Sequence, residues 1–166
     1  GINLLYNSKN HEVYSKIISV GEGFESDLGF IRRKGIFKQY IRYERRFWIE
    51  TEKISNIRIT PSFRYITKPN INSLIMDRDF SASFEIDFKS LSNLSIDFSY
   101  PYTYLDSEFN ITRRDGAVPI PIGGYNYPNL KISFRNNFFN EFTYFFEVGS
   151  GQFFNGTKKS IQAKLG

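Results

Sequence analysis

Seven charged residues stand where they can act on one another. Arg58 and Arg64, then Glu85, Asp87 and Asp97, then Lys131 and Arg135 each take the polar phase of a segment in which polar and apolar residues alternate. A two-residue period sends alternate side chains to opposite faces of a strand, so all seven share a face if the segments pair. Setting Phe88 opposite Leu94 places Glu85 against Asp97, and a shift by two residues places Asp87 against Asp97. Like charges directly opposite are unfavourable unless cations intervene. Arg58 and Arg64 are the expected cations, with Lys131 and Arg135 as alternates. The chemistry of such a group is electrostatic. It plugs the lumen of a barrel and fixes register, or it lines a constriction that selects ions or solutes.

Residues for other chemistry are scarce. His11 is the single histidine and sits in the polar stretch Asn7 to Glu12, so no histidine pair exists for a metal or a proton relay. Cysteine is absent, which removes disulfides, thiolate sites and thiol nucleophiles. Gly21-Glu22-Gly23 begins a G-x-G without the third glycine or a helix after it. Asp77-Arg78-Asp79 and Asp106-Ser107-Glu108 lack the ligand spacing of a calcium loop and read as solvated turns. The chain is therefore read as non-enzymatic, with no cofactor expected. Its net charge of +5 comes from short clusters (Arg32-Arg33-Lys34, Arg45-Arg46, Arg113-Arg114, Lys158-Lys159), which fits solvated loops and strand ends and does not call for a nucleic-acid partner.

The elements that must position the seven charges are strands. Phe80, Ala82, Phe84, Ile86 and Phe88 alternate without error with Ser81, Ser83, Glu85, Asp87 and Lys89. After the polar link Ser90-Leu91-Ser92-Asn93 the pattern resumes from Leu94 to Tyr100, which reads as a hairpin. Eight strands are expected, at 12–20, 36–47, 54–66, 79–89, 94–104, 126–136, 142–149 and 157–165. The segment 12–20 fits neither face well, and 36–47 puts Gln39 and Arg45 in phase with Phe37, Ile41, Tyr43 and Phe47. Short links at 48–53, 90–93 and 137–141 alternate with longer ones at 67–78 and 105–125. Residues 1–166 form one domain on this reading, all-β, because 166 residues suffice for one core.

Alternation by itself does not say which face is covered. The clean segments run to the ~9–11 residues that cross a bilayer at a tilt, against ~5–6 for ordinary strands. Their polar phases mix small hydroxyls with opposite charges, suiting a narrow lumen. Aromatics, 18 Phe and 11 Tyr, gather at segment ends as in Tyr100 to Tyr104 and Phe47-Trp48, where headgroup girdles would sit. With short and long links taking turns, the expectation is an antiparallel up-and-down transmembrane β-barrel, or a contiguous part of a larger one, with the lipid bilayer as partner. A soluble β-barrel around an apolar ligand and a subunit or client strand segment of a larger outer-membrane complex are the rivals.

Three stretches carry a resemblance: Phe24 to Arg33, Ile57 to Tyr65, and Gly149 to Thr157. They resemble the C-terminal barrel domain of a family of uncharacterised outer-membrane proteins that bear an N-terminal carbohydrate-binding-like domain of the family-9 type. The resemblance spans most of 20–166 and contains no catalytic signature. It implies an envelope location, a barrel and a link to glycans through domains not in this chain; the leading expectation is a bacterial outer-membrane barrel acting as anchor, scaffold or conduit, with other outer-membrane proteins as partners on the subunit reading. Barrels of this kind usually end on an aromatic residue, and Ser160 to Gly166 does not, so further strands are expected beyond it.

Overall fold

The computed structural model describes residues 1–24, 34–49, 51–69, 74–110, 118–136, 141–154 and 156–166. They hold ten strands in one antiparallel sheet and no helix. The strands are β1 (Ile2–Asn7), β2 (His11–Val20), β3 (Ile36–Trp48), β4 (Ile54–Lys68), β5 (Leu74–Phe88), β6 (Asn93–Leu105), β7 (Gly123–Asn126), β8 (Asn129–Arg135), β9 (Tyr144–Phe153) and β10 (Gly156–Leu165). They pair in chain order, β1-β2-β3-β4-β5-β6-β8-β9-β10, with β7 also on β6. The meander is up-and-down, and the sheet is open between β1 and β10.

β7 and β8 hold one register along β6: Tyr102 lies opposite Asn126 and Ser99 opposite Asn129. The break at Tyr127-Pro128 faces Pro101, whose carbonyl accepts the Tyr127 N–H at 3.1 Å. Two prolines, each without an N–H, cannot complete the ladder there. The pair acts as one interrupted strand, so the sheet has nine full-length members. β1 and β10 consequently run in the same direction.

Several expectations need correction. β1 was not foreseen, and Gly123, Gly124 and Tyr125, assigned to the 105–125 link, are strand, in β7 (Gly123–Asn126). The 67–78 link is mostly strand too, because β4 runs to Lys68 and β5 begins at Leu74. Thr67 pairs Ile75 while Ile66 pairs Asp77, so Met76 is a bulge residue, and a bulge breaks the two-residue period that a strand would display. Asp77-Arg78-Asp79 is accordingly strand rather than a solvated turn. Long and short connections alternate less regularly than expected. One end of the sheet has connections at 8–10, 49–53, 89–92 and 136–143, and the other has long ones at 21–35 and 106–122 beside short ones at 69–73 and 154–155. Arg113-Arg114 and most of Phe24 to Arg33 lie outside the described residues.

The β5–β6 turn is tight. The Leu91 N–H bonds the Phe88 carbonyl at 2.9 Å, and Leu91 takes φ 63° with an exposed side chain. A Cβ-bearing residue in the left-handed region costs roughly 1–2 kcal/mol. Leu91→Gly is expected to raise stability by up to about 1 kcal/mol, because glycine's own folding entropy offsets part of the relief. Chemical denaturation of the two chains measures it.

The two faces differ in cover. Directly paired residues share a face, which makes one face apolar: Ile59, Phe84, Ile96, Ile132, Val148 and Ile161 form one row across six strands. Nothing in the sheet covers it. Ile59, Phe63, Phe80, Phe98, Leu130, Ile132 and Phe146 are all exposed, and the buried apolar residues among those described are Met76 and Ile120. The polar face is the inside of a curl. Ile36 and Lys38 of β3 line a single cavity of about 740 Å³ with Phe153 and Phe154, although four strands intervene along the sheet. Five interstrand steps of ~4.8 Å would put those ends ~24 Å apart in a flat sheet.

Candidate functional site

The concave face gathers the charged residues into small groups. Arg58 on β4 lies opposite Glu85 on β5, with its Nη2 2.5 Å from a Glu85 carboxylate oxygen. Its Nε is 3.1 Å from Asp87, an ion pair by distance rather than an aligned hydrogen bond. Asn93 donates to Asp87 at 2.8 Å. Two pleats further along, past the Thr60–Ser83 pair, the Ser62 and Ser81 hydroxyls meet at 2.7 Å, and then Arg64 pairs with Asp79 at 3.1 Å. The strands place these pairs because register fixes them: Arg58 with Glu85, Ser62 with Ser81 and Arg64 with Asp79 are direct partners.

The hairpin register differs from both that were expected. Ile86 faces Leu94, which puts Asp97 opposite Ser83 and Glu85 opposite Ser95, so no two acids are directly paired. The tight turn at Lys89-Ser90, closed by Leu91, removes two residues from the loop and sets this register. Asp97 accepts from the Ser95 hydroxyl at 2.9 Å and lies opposite Lys131 across the β6–β8 ladder. Lys131 itself reaches Glu147 on β9 at 3.1 Å. Arg135 stacks on the Phe145 ring at 5.2 Å. The seven residues thus share a face but divide into separate groups rather than one chain of contacts.

Partners outside the seven were not foreseen. Glu12 on β2 pairs with Arg42, Glu44 with Arg46 at 2.6 Å, and Lys68 with Asp106 at 3.3 Å. The signal was present in Glu12, Arg42, Glu44 and Arg46, which alternate with Val13, Tyr43 and Arg45, but mixed composition of both phases hid it.

Between these groups lies a cavity of about 690 Å³ whose walls include Ser62, Ser83, Ser99, Asn129, Lys131 and Glu147. Glycine makes its floor on β9. A Cβ at Gly151 would stand 2.7 Å from the Pro128 carbonyl oxygen and as close to the Asn129 amide carbon; one at Gly149 would meet the Ser160 hydroxyl at 2.6 Å. Gly151→Ala is expected to destabilise the fold by about 1–3 kcal/mol, the usual cost of overpacking against backbone. The companion Gly149→Ala is expected to cost less, since a rotatable Ser160 side chain can give way, and thermal melts of both variants compare them.

One end of the concavity is aromatic. Phe154 in the β9–β10 turn lies 5.3 Å from Tyr125, 5.9 Å from Phe109 and 4.8 Å from Phe153, measured between ring centroids. Tyr127 shares its hydroxyl with Thr103 at 2.7 Å, and Thr103 donates to Asp77 at 3.0 Å. These contacts tie the β6–β7 excursion to the turn after β9. No group of His, Cys, Asp and Glu among the described residues is arranged to hold a metal ion.

The arrangement offers a polar, charge-balanced, water-accessible inner surface and an uncovered apolar outer one. No protein-family model matches the chain, no curated protein matches it, and no solved structure matches it.

Proposed function

We propose that this chain is part of the wall of a transmembrane β-barrel in the outer membrane of a Gram-negative bacterium, serving as anchor, scaffold or conduit. The observation that carries the reading is the exposed apolar face. A chain of 166 residues with 18 Phe leaves Phe63, Phe80, Phe98 and Phe146 uncovered on one continuous surface. In water such a surface drives association. In a bilayer it is solvated.

Dimensions agree with that environment. On β5 the outward positions Phe80 to Phe88 carry no charge. Eight residues at ~3.4 Å, tilted by ~40°, give an apolar band of ~21 Å, near the ~25 Å expected of an outer-membrane barrel. Tyr65, Tyr100 and Tyr102 mark one border of the band, and Tyr6, Phe47 and Tyr144 the other. The soluble rival, a barrel closed around an apolar ligand, requires greasy side chains inside. Around Ser62, Ser83, Asn129, Lys131 and Glu147 the concavity is polar instead, and its aromatic side chains gather at the Phe109, Phe153 and Phe154 end.

The second reading, a subunit or client segment of a larger outer-membrane complex, draws on the edges. β1 and β10 point the same way, so joining them directly would make a parallel seam, whereas bacterial barrels close antiparallel with an even strand number. Further strands at those edges, from the same polypeptide or another, satisfy both the closure rule and the rule that no lipid-exposed backbone stays unpaired. A glycan link remains a proposal drawn from resemblance alone.

The test is partition. Refolded chain mixed with phospholipid vesicles is expected to float with them and to resist extraction at alkaline pH. A detergent-free, monodisperse monomer in water would remove the membrane reading.

A further inference from the structure

On the outward face, at the end where β2 begins, three polar side chains stand among aromatics. His11 lies directly opposite Arg45, and Tyr43 precedes Arg45 by one pleat on the same face. Arg45 donates an N–H to His11 Nε2. With Nε2 accepting, Nδ1 is the ring nitrogen left to donate, and the Tyr43 oxygen lies 2.7 Å from it. That leaves the hydroxyl hydrogen of Tyr43 for another acceptor. The guanidinium, 5.1 Å from the Phe47 ring, keeps most of its N–H donors.

Among the described residues no carboxylate bonds any of the three. Glu12 and Glu44 lie in the opposite phase and hold Arg42 and Arg46. The cluster is therefore donor-rich and cationic, on a face that is mostly apolar and carries Arg78 at its other end. We propose that His11, Tyr43 and Arg45 bind the phosphate of a lipid headgroup, a reading that rests on the membrane placement above.

Two physical arguments favour this occupant. An unpaired Arg on a lipid-facing strand costs ~2–4 kcal/mol at mid-bilayer and ~0–1 kcal/mol near the headgroups, and an anion there offsets the remainder. A phosphate supplies several oxygens at once, matching the Arg N–H groups and the Tyr hydroxyl in charge-assisted hydrogen bonds. Position fits as well, for His11 opens β2 and Phe47-Trp48 closes β3 beside it. Arg78, on the same face at the other end, lies 5.5 Å over Tyr102 with no such relay, and it serves as control.

The full chain, reconstituted in bilayers of phosphatidylglycerol mixed with phosphate-free galactolipid, is extracted into mild detergent, and retained lipid is counted by native mass spectrometry. The wild-type chain is expected to retain phosphatidylglycerol preferentially. Arg45→Gln and Tyr43→Phe should each cut that retention at least about tenfold, the scale of losing one charge-assisted hydrogen bond, while Arg78→Gln leaves it unchanged. Inserted variants that retain as much phosphatidylglycerol as wild type would overturn the site. Displacement of the lipid by millimolar inorganic phosphate would make it a free-anion site and overturn the lipid assignment. Failure of the wild-type chain to insert is a different result: it removes the membrane placement, and this site with it.

Discussion

Phe98→Arg is expected to lower the stability of the vesicle-embedded chain by about 3 kcal/mol, the cost of a guanidinium near the bilayer midplane on an outward barrel position. Phe98 is central in the outward run from Leu94 to Tyr102, is 39% exposed, and faces Ala82 on one side and Leu130 on the other. No acid stands on that face to pair with the new charge at those positions. Guanidinium titration in vesicles, read by tryptophan fluorescence from Trp48, gives the difference, with Phe98→Leu as the volume control. The value of the experiment lies in its contrast. For a protein that rests in water, replacing an exposed Phe by Arg changes stability by no more than about 0.5 kcal/mol and improves solubility. A shift that small in vesicles would reject the bilayer-facing assignment of this surface.

The second large effect belongs to the inner face. Arg58→Met is expected to cost about 2–3 kcal/mol, because Glu85 and Asp87 would then stand two residues apart on one face of β5 without their cation. Breaking a fully buried pair commonly costs ~3–5 kcal/mol. The lower figure is chosen because Arg58, Glu85 and Asp87 are 24%, 25% and 30% exposed, so water screens part of the uncompensated charge. Restoring neutrality should restore stability: the triple variant Arg58→Met, Glu85→Gln, Asp87→Asn is expected to recover most of the loss, and a mutant cycle isolates the coupling. If the concavity conducts, Arg58→Gln with Arg64→Gln should also shift reversal potential toward cations. A loss smaller than about 0.5 kcal/mol, with no change in selectivity, would show that this group neither holds the sheet nor tunes a path.

Legibility followed the regularity of the residue pattern. From Phe80 to Phe88, and again from Leu94 to Tyr100, unbroken alternation made strand type, the residues that share a face and the hairpin partner readable, but not the register, which the turn set. Where the backbone departs from a plain ladder the pattern failed. The Met76 bulge disguised the start of β5 as a loop, Pro101 and Pro128 split β7 from β8, and Gly149 and Gly151 hid the second half of β9 because glycine declares no face. His11 was read only as a lone histidine in a polar stretch, and the structure adds that it opens β2 and is held by Tyr43 and Arg45 from β3.

The sequence alone determined that the chain is all-β, that its cleanest strands have one greasy and one polar side, and that Arg58, Arg64, Glu85, Asp87, Asp97, Lys131 and Arg135 share the polar side. Local composition suffices for these, since a two-residue period is a property of neighbours along the chain. Tertiary structure decided which cation meets which acid, that the polar side is the inside of the curl, and that the apolar side is left uncovered. Those outcomes depend on turn length, bulges and the accumulated bend of nine strands, which are set between segments far apart in the chain and leave no trace in any single window of residues.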